Sequence, residues 1–229
     1  MHSDNKTARL AGFLYLADIV TGIFSLMYVP SRINAHGDAA ATVKNILASE
    51  SLFRLGTAVG LISDVVFLLL PLVLYKLLSQ VNKSVAVLMV AFAVVYVPIG
   101  FVAVAHQLDI MSLLDGDKYQ QVFPADKLHA RVMLLLDAYD NQILVSEIFW
   151  GLWLLPFGYL VFKSGFLPRV LGILLIMGCF SYLISFFAQI LFPQYTVPGF
   201  VMWPASLGEI GICLWLLIVG VRKPAHSAT

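Results

Sequence analysis

The sequence predicts an all-α, polytopic membrane protein: six transmembrane helices paired as three helical hairpins, with both termini cytoplasmic. Three observations carry that expectation. The 229-residue chain is 60% apolar and 12% charged, where a soluble domain carries about 25% charged residues. Six apolar runs reach the roughly 20 residues that a bilayer-spanning helix needs. Lys and Arg cluster on one set of connections, as the positive-inside rule requires of a polytopic chain.

The runs are 8–29, 55–78, 84–114, 142–162, 170–192 and 200–221. They cover most of the chain, so residues 1–229 read as a single integral membrane domain. The third run is over-long and must tilt or project beyond the lipid. The first ends in Tyr28-Val29-Pro30 without a small-residue cleavage site, so it is expected to remain as a span. A mean hydropathy of +0.90 fits a lipid solvent. With a net charge of +1 there is no electrostatic case for a nucleic-acid partner.

Orientation follows from the flanks. Lys6, Arg9, Lys76, Lys83, Lys163, Arg169, Arg222 and Lys223 share one side with a single acid, Asp4. Arg32, Lys44, Arg54, Lys118, Lys127 and Arg131 share the other with Asp38, Glu50, Asp115, Asp117, Asp126, Asp137 and Asp140. The richer basic side is assigned to the cytoplasm. The cytoplasmic links are short and the first and third links are long. In the first, Asp38 can cap a helix carrying Val43, Ile46, Leu47 and Glu50 at helical spacing. In the third, Pro124 suits a helix's first turn. A short outer-face helix is expected in each.

An internal repeat underlies the hairpin expectation. Glu147 opens EIFWGLWLLP and Glu209 opens EIGICLWLLIVGV; Asp64 opens the weaker echo DVVFLLLP. A small residue precedes each acid: Ser146, Gly208 and Ser63. The odd spans share a basic start, in RLAGFLYL at Arg9, RVLGILLI at Arg169 and a weaker KSVAVLMV at Lys83. Three like-oriented hairpins fit this pattern better than two inverted halves.

Asp18, Asp64, Asp109, Glu147 and Glu209 lie inside apolar runs. An ionised carboxylate at mid-bilayer costs at least about 2.5–3.5 kcal/mol, so such groups face the bundle interior, pair, or take up a proton. At about 1.5 Å per residue, Asp18, Asp64, Glu209 and Glu147 stand roughly 14, 18, 20 and 24 Å from the cytoplasmic basic flank. Asp109 and His106 are further out, one turn apart. The gradient suggests a polar cavity opening outward, with Arg54 as counter-ion and Arg131 as a second. Asp137, Asp140, Leu144 and Glu147 would share a face if the fourth span began early. Pro71, Pro98 and Pro156 each free a backbone carbonyl, which is tolerated where the backbone is buried in protein or lines water. Tyr96, Trp150, Trp153, Trp203 and Trp215 could line a ligand cavity; packing and interfacial anchoring use the same residues. The acids themselves could equally join helices through hydrogen bonds.

Other chemistries lack their residues. The five histidines, His2, His36, His106, His129 and His226, are scattered, and His106-x-x-Asp109 alone is a weak zinc signal. Cys179 and Cys213 lack metal or redox spacing. No Walker loop, dinucleotide fingerprint or Gly-x-Ser-x-Gly elbow occurs. No metal and no cofactor is expected.

RLAGFLYL, GDAAATVKNILASESLFRLG, SGFLPRVLGILL and SLGEIGICLWLLIVGV resemble, in that order, a family of bacterial membrane proteins catalogued as domain of unknown function 4386 (DUF4386). NILASESLFRLG, with Glu50 and Arg54, is the most specific part. The resemblance implies a multi-spanning protein of the bacterial inner membrane, and it brings no catalytic residue and no substrate.

The leading functional expectation is binding or transport of a small molecule or proton at Asp64, Glu147 and Glu209, with Asp18, Arg54, His106 and Asp109 as further candidates. One alternative is an intramembrane enzyme acting on a lipid or isoprenoid, its acids serving as general acid and base. The other is a structural or regulatory partner in a membrane complex. Membrane lipid is the one partner common to all three.

Overall fold

A computed structural model describes residues 2–35, 37–116, 119 and 121–222. The sequence expectations that touch His36, Asp117, Lys118, Lys223 and His226 lie outside the described residues. Among the described residues all regular structure is helical. We number the helices α1 (His2–Gly22, continued by a π-helical stretch Ile23–Tyr28 and a last turn Val29–Ile33), α2 (Ala39–Ala48), α3 (Glu50–Leu78), α4 (Lys83–Leu114), α5 (Ala125–Lys163), α6 (Arg169–Leu191) and α7 (Trp203–Leu214, led by a 3-10 turn Gly199–Met202 and followed by a π-helical turn Trp215–Val219). All but α2 are long and apolar enough to cross a membrane.

Each long helix matches an apolar run, but the fourth begins earlier than expected. Pro124 precedes Ala125 and accepts the first intrahelical bond, from Leu128 N–H at 3.0 Å. The segment expected to form a separate outer helix after Pro124 is instead the head of a continuous 39-residue α5. A proline before the first turn loses nothing, since its missing N–H would have had no partner there. The early start puts residues 137, 140, 144 and 147 in one helix. The first-link helix is present but stops at Ala48, and Glu50 opens α3 instead. Asp38 caps α2, accepting from Ala41 N–H at 2.9 Å. Pro71, Pro98 and Pro156 all lie inside helices.

The described chain divides into two compact units. One comprises residues 2–17, 66–97 and 145–222, and so holds all of α6 and α7. Small residues let its helices close in. A Cβ on Gly158 of α5 would stand 2.7 Å from the Gly172 carbonyl of α6. A Cβ on Gly208 of α7 would meet Leu175 N of α6 at 3.0 Å, and one on Gly178 the Ala205 Cα at 2.9 Å. Backbone-to-backbone approach of this kind drives helix association where lipid removes the hydrophobic incentive. Between the helices lies an aromatic cluster. Phe67 meets Tyr96 and Trp153 edge-on at 5.0 and 5.3 Å, and Trp153 stacks on Phe157 at 5.2 Å.

The other unit comprises residues 18–65 and 98–144. Its core gathers Val29, Ile33, Phe53, Ile110 and Val132 around Val43 and Ile46 of α2. Thr42, Val43 and Ile46 are all buried, so α2 inserts its apolar face into this core.

Candidate functional site

In the first unit, Glu209 of α7 receives two phenolic hydrogen bonds. Tyr15 of α1 donates to Oε2 and Tyr182 of α6 donates to Oε1, each at 3.1 Å. Both rings are held by packing. Tyr15 is 1% exposed and lies 5.9 Å from Trp153 and 6.5 Å from Phe157. Tyr182 meets Trp150 at 6.3 Å and backs onto Gly151, where a Cβ would stand 3.0 Å from its own Cβ. An aromatic ring with one polar tip suits this task, because the ring is buried at no polar cost while the hydroxyl is aimed. Among the described residues no Lys or Arg pairs with Glu209.

Glu147 of α5 lies one turn before Trp150 and Gly151. The polar side chains bearing on its carboxyl are Ser185 and Gln189 of α6, themselves joined by a 3.1 Å hydrogen bond. Its Oε2 is buried without a hydrogen-bond partner among the described residues. Tyr182, Ser185 and Gln189 are spaced by three and four residues, so they line one face of α6. Carboxylates from α5 and α7 therefore address consecutive turns of the same α6 face.

The other candidates lie in the second unit. Thr21 donates to Ser63 Oγ at 3.0 Å, and Ser63 donates to Asp18 Oδ1 at 3.0 Å. This chain joins α1 to α3. Asp64 is 4% exposed and its carboxylate rests on Gly100 of α4, where a Cβ would meet Oδ1 at 2.7 Å. The buried Tyr139 of α5 lies within electrostatic reach of Asp64. His106 faces Gln142 at 3.3 Å through Nε2, and its Nδ1 is buried without a partner among the described residues.

Arg54 departs from expectation. It makes a 2.6 Å ion pair with Glu50, both side chains about half exposed, and its Nη1 approaches Met111 Sδ at 3.7 Å. A flexible cation takes the acid one turn away in solvent before a buried one ten residues on, so it is not the counter-ion of Asp64. Arg131 is brought near one of the candidate acids, Asp109. It lines a cavity of about 570 Å³ with Asp109 and Lys127, and Asp109 alone of the seven candidates borders that space. Of the aromatics, Tyr96, Trp150 and Trp153 belong to the packed cluster, while Trp203 is 65% exposed and Trp215 carries the Arg222 guanidinium 4.2 Å above its ring. No cluster of three His, Cys, Asp or Glu side chains suited to a metal ion occurs among the described residues.

Sequence reasoning missed Tyr15 and Tyr182. The signal was present: each is a polar-tipped ring within an apolar run, but which acid it serves depends on how separate helices pack.

Comparison with known proteins adds no chemistry. A family model described as domain of unknown function (DUF4386) matches residues 10–220. An uncharacterized protein of Archaeoglobus fulgidus is 29% identical over 147 residues, covering 64% of this chain and 72% of the relative. No solved structure matches.

Proposed function

The chain belongs to the DUF4386 family, and from that premise we propose that it is a multi-pass membrane protein that binds and exchanges a proton or small cation at Glu147 and Glu209. The observation that carries this reading is the shared α6 face. Two carboxylates on neighbouring helices address it within a membrane-length bundle, and the groups that meet them there are neutral: two phenols, a hydroxyl and an amide. Neutral donors orient an acid without cancelling its charge. An acid so placed in low dielectric is satisfied by a proton or a cation. The nearest basic residues in the chain support this. Arg131 and Lys163 are each sixteen residues from Glu147, and Arg222 is thirteen from Glu209, roughly 20–24 Å along a helix.

In this reading the spans form three hairpins with both termini in the cytoplasm, and the α6 face lies toward the outer half of the membrane. Asp18 has a different part. Ser63 and Thr21 hold it in a chain between α1 and α3, which favours helix joining over ligand exchange.

The test is flux into proteoliposomes loaded with a pH-sensitive or cation-sensitive dye under an imposed gradient. Wild-type protein should dissipate the gradient, and Glu209→Gln or Glu147→Gln should abolish dissipation while the folded protein is recovered in normal yield. Equal flux through all three proteins, or none through wild type in either the proton or the cation assay, would refute the reading.

A further inference from the structure

The cavity of about 570 Å³ in the second unit has no part in the carboxylate reading, and its chemistry points the other way. Lys127 and Arg131 of α5 line it, with Asp109 of α4 as the acid and Tyr119, Phe123 and Leu128 supplying apolar wall. The volume falls within the roughly 300–1,000 Å³ of small-ligand sites. Lys127 and Arg131 are four residues apart, so both heads project from one face of α5. Neither makes an ion pair among the described residues. Tyr119 and Phe123 stack at 6.5 Å, and Leu128 runs from the cavity wall into the unit's core. Among the described lining residues, two cations against one carboxylate leave a single positive charge beside apolar surface. That combination suits a monoanion with a hydrophobic body better than a free dianion.

Depth along α4 says where such a ligand comes from. Asp109 is 26 residues beyond Lys83, or about 39 Å at 1.5 Å per residue. That exceeds the roughly 30 Å hydrocarbon core and falls within the roughly 40–45 Å that includes the headgroups. A cavity bordered by Asp109 is therefore level with the lipid headgroups when Lys83 sits at the opposite surface. We propose that it holds the phosphodiester headgroup of an acidic phospholipid, with Lys127 and Arg131 on the phosphate oxygens and the acyl chains leaving toward the membrane core past Leu135. Arg pairs with phosphate through two parallel hydrogen bonds, and basic pockets between transmembrane helices take acidic headgroups by the same chemistry. Asp109 limits the site to one negative charge.

The experiment is native mass spectrometry of the full-length protein in mild detergent, titrated separately with phosphatidylglycerol and phosphatidylcholine. Wild type should retain phosphatidylglycerol about tenfold more tightly, a difference the size of one good charged contact. The double variant Lys127→Gln/Arg131→Gln should lose that preference and keep its phosphatidylcholine binding, while Arg54→Gln should change neither. An excess of inorganic phosphate should not displace the lipid. Asp109→Asn, at an exposed side chain, should tighten phosphatidylglycerol and so decides the matter if the double variant does not fold. Equal retention of the two lipids by wild type, an unaltered preference in both charge variants, or displacement by inorganic phosphate would overturn the proposal.

Discussion

Tyr182 of α6 donates its phenolic hydrogen to Glu209 of α7 at 3.1 Å, and the same ring packs against Trp150 of α5. One side chain thus links the acid of the sixth span to the helix carrying the acid of the fourth. Removing the hydroxyl alone separates the two jobs. Tyr182→Phe keeps the ring contact and loses the donor. It should cost about 0.5–1.5 kcal/mol, the net value of an ordinary hydrogen bond, with the lower end favoured inside a membrane. Reversible unfolding in mixed micelles measures this. A similar loss is expected for Tyr15→Phe.

Gly100 and Gly60 give a matched pair in the second unit. A Cβ at Gly100 enters the Asp64 carboxylate at 2.7 Å, whereas at Gly60 the nearest atom, on Val104, is 3.7 Å away. Gly100→Ala should destabilise by about 1–3 kcal/mol, the usual penalty for overpacking. Gly60→Ala should be tolerated or mildly stabilising, since it also removes helix-interior glycine entropy. Thermal aggregation curves on the two variants check the contrast.

Arg54→Gln should leave both stability and flux close to wild type. Its partner is the exposed Glu50 one turn away, and such i,i+4 pairs contribute about 0.3–0.5 kcal/mol. A large flux defect would show that Arg54 governs the buried acids after all.

The two faces of the membrane can be told apart with single cysteines in a background lacking Cys179 and Cys213. A cysteine at the exposed Lys44 of α2 should react with an impermeant maleimide in intact cells, and one at the exposed Gln80, in the α3–α4 connection, only after the cells are opened. The reverse pattern would invert the assignment drawn from the basic flanks.

The long helices were legible because in lipid the signal is apolar length, which each of the six runs displays plainly. The α2 cap was legible as well, since Asp38 acts on its own next turn. The head of α5 was not: residues 125–141 are polar enough to read as a link, and only the tertiary burial of Leu128, Val132 and Leu135 shows them continuing one helix. The acids could be picked out by their cost in lipid, but their partners could not. The small residues before them look alike in the text yet do unlike things. Ser63 donates to Asp18, whereas Gly208 lets α7 approach the α6 backbone. Arg54 was drawn to the buried acids by sign alone, and local geometry gave it to Glu50.

Glu147 and Glu209 should each exchange a proton or small cation within the membrane. A carboxyl protonated in apolar surroundings adds through its oxygen to the central carbon of a hydrophobic carbodiimide, passing its proton to the carbodiimide nitrogen, and peptide mass spectrometry locates the rearranged N-acylurea. The account predicts adducts at both residues in membranes, increasing as pH falls and suppressed by the permeant cation if the site takes one. Failure to modify either glutamate, or modification indifferent to pH and cation alike, would contradict it.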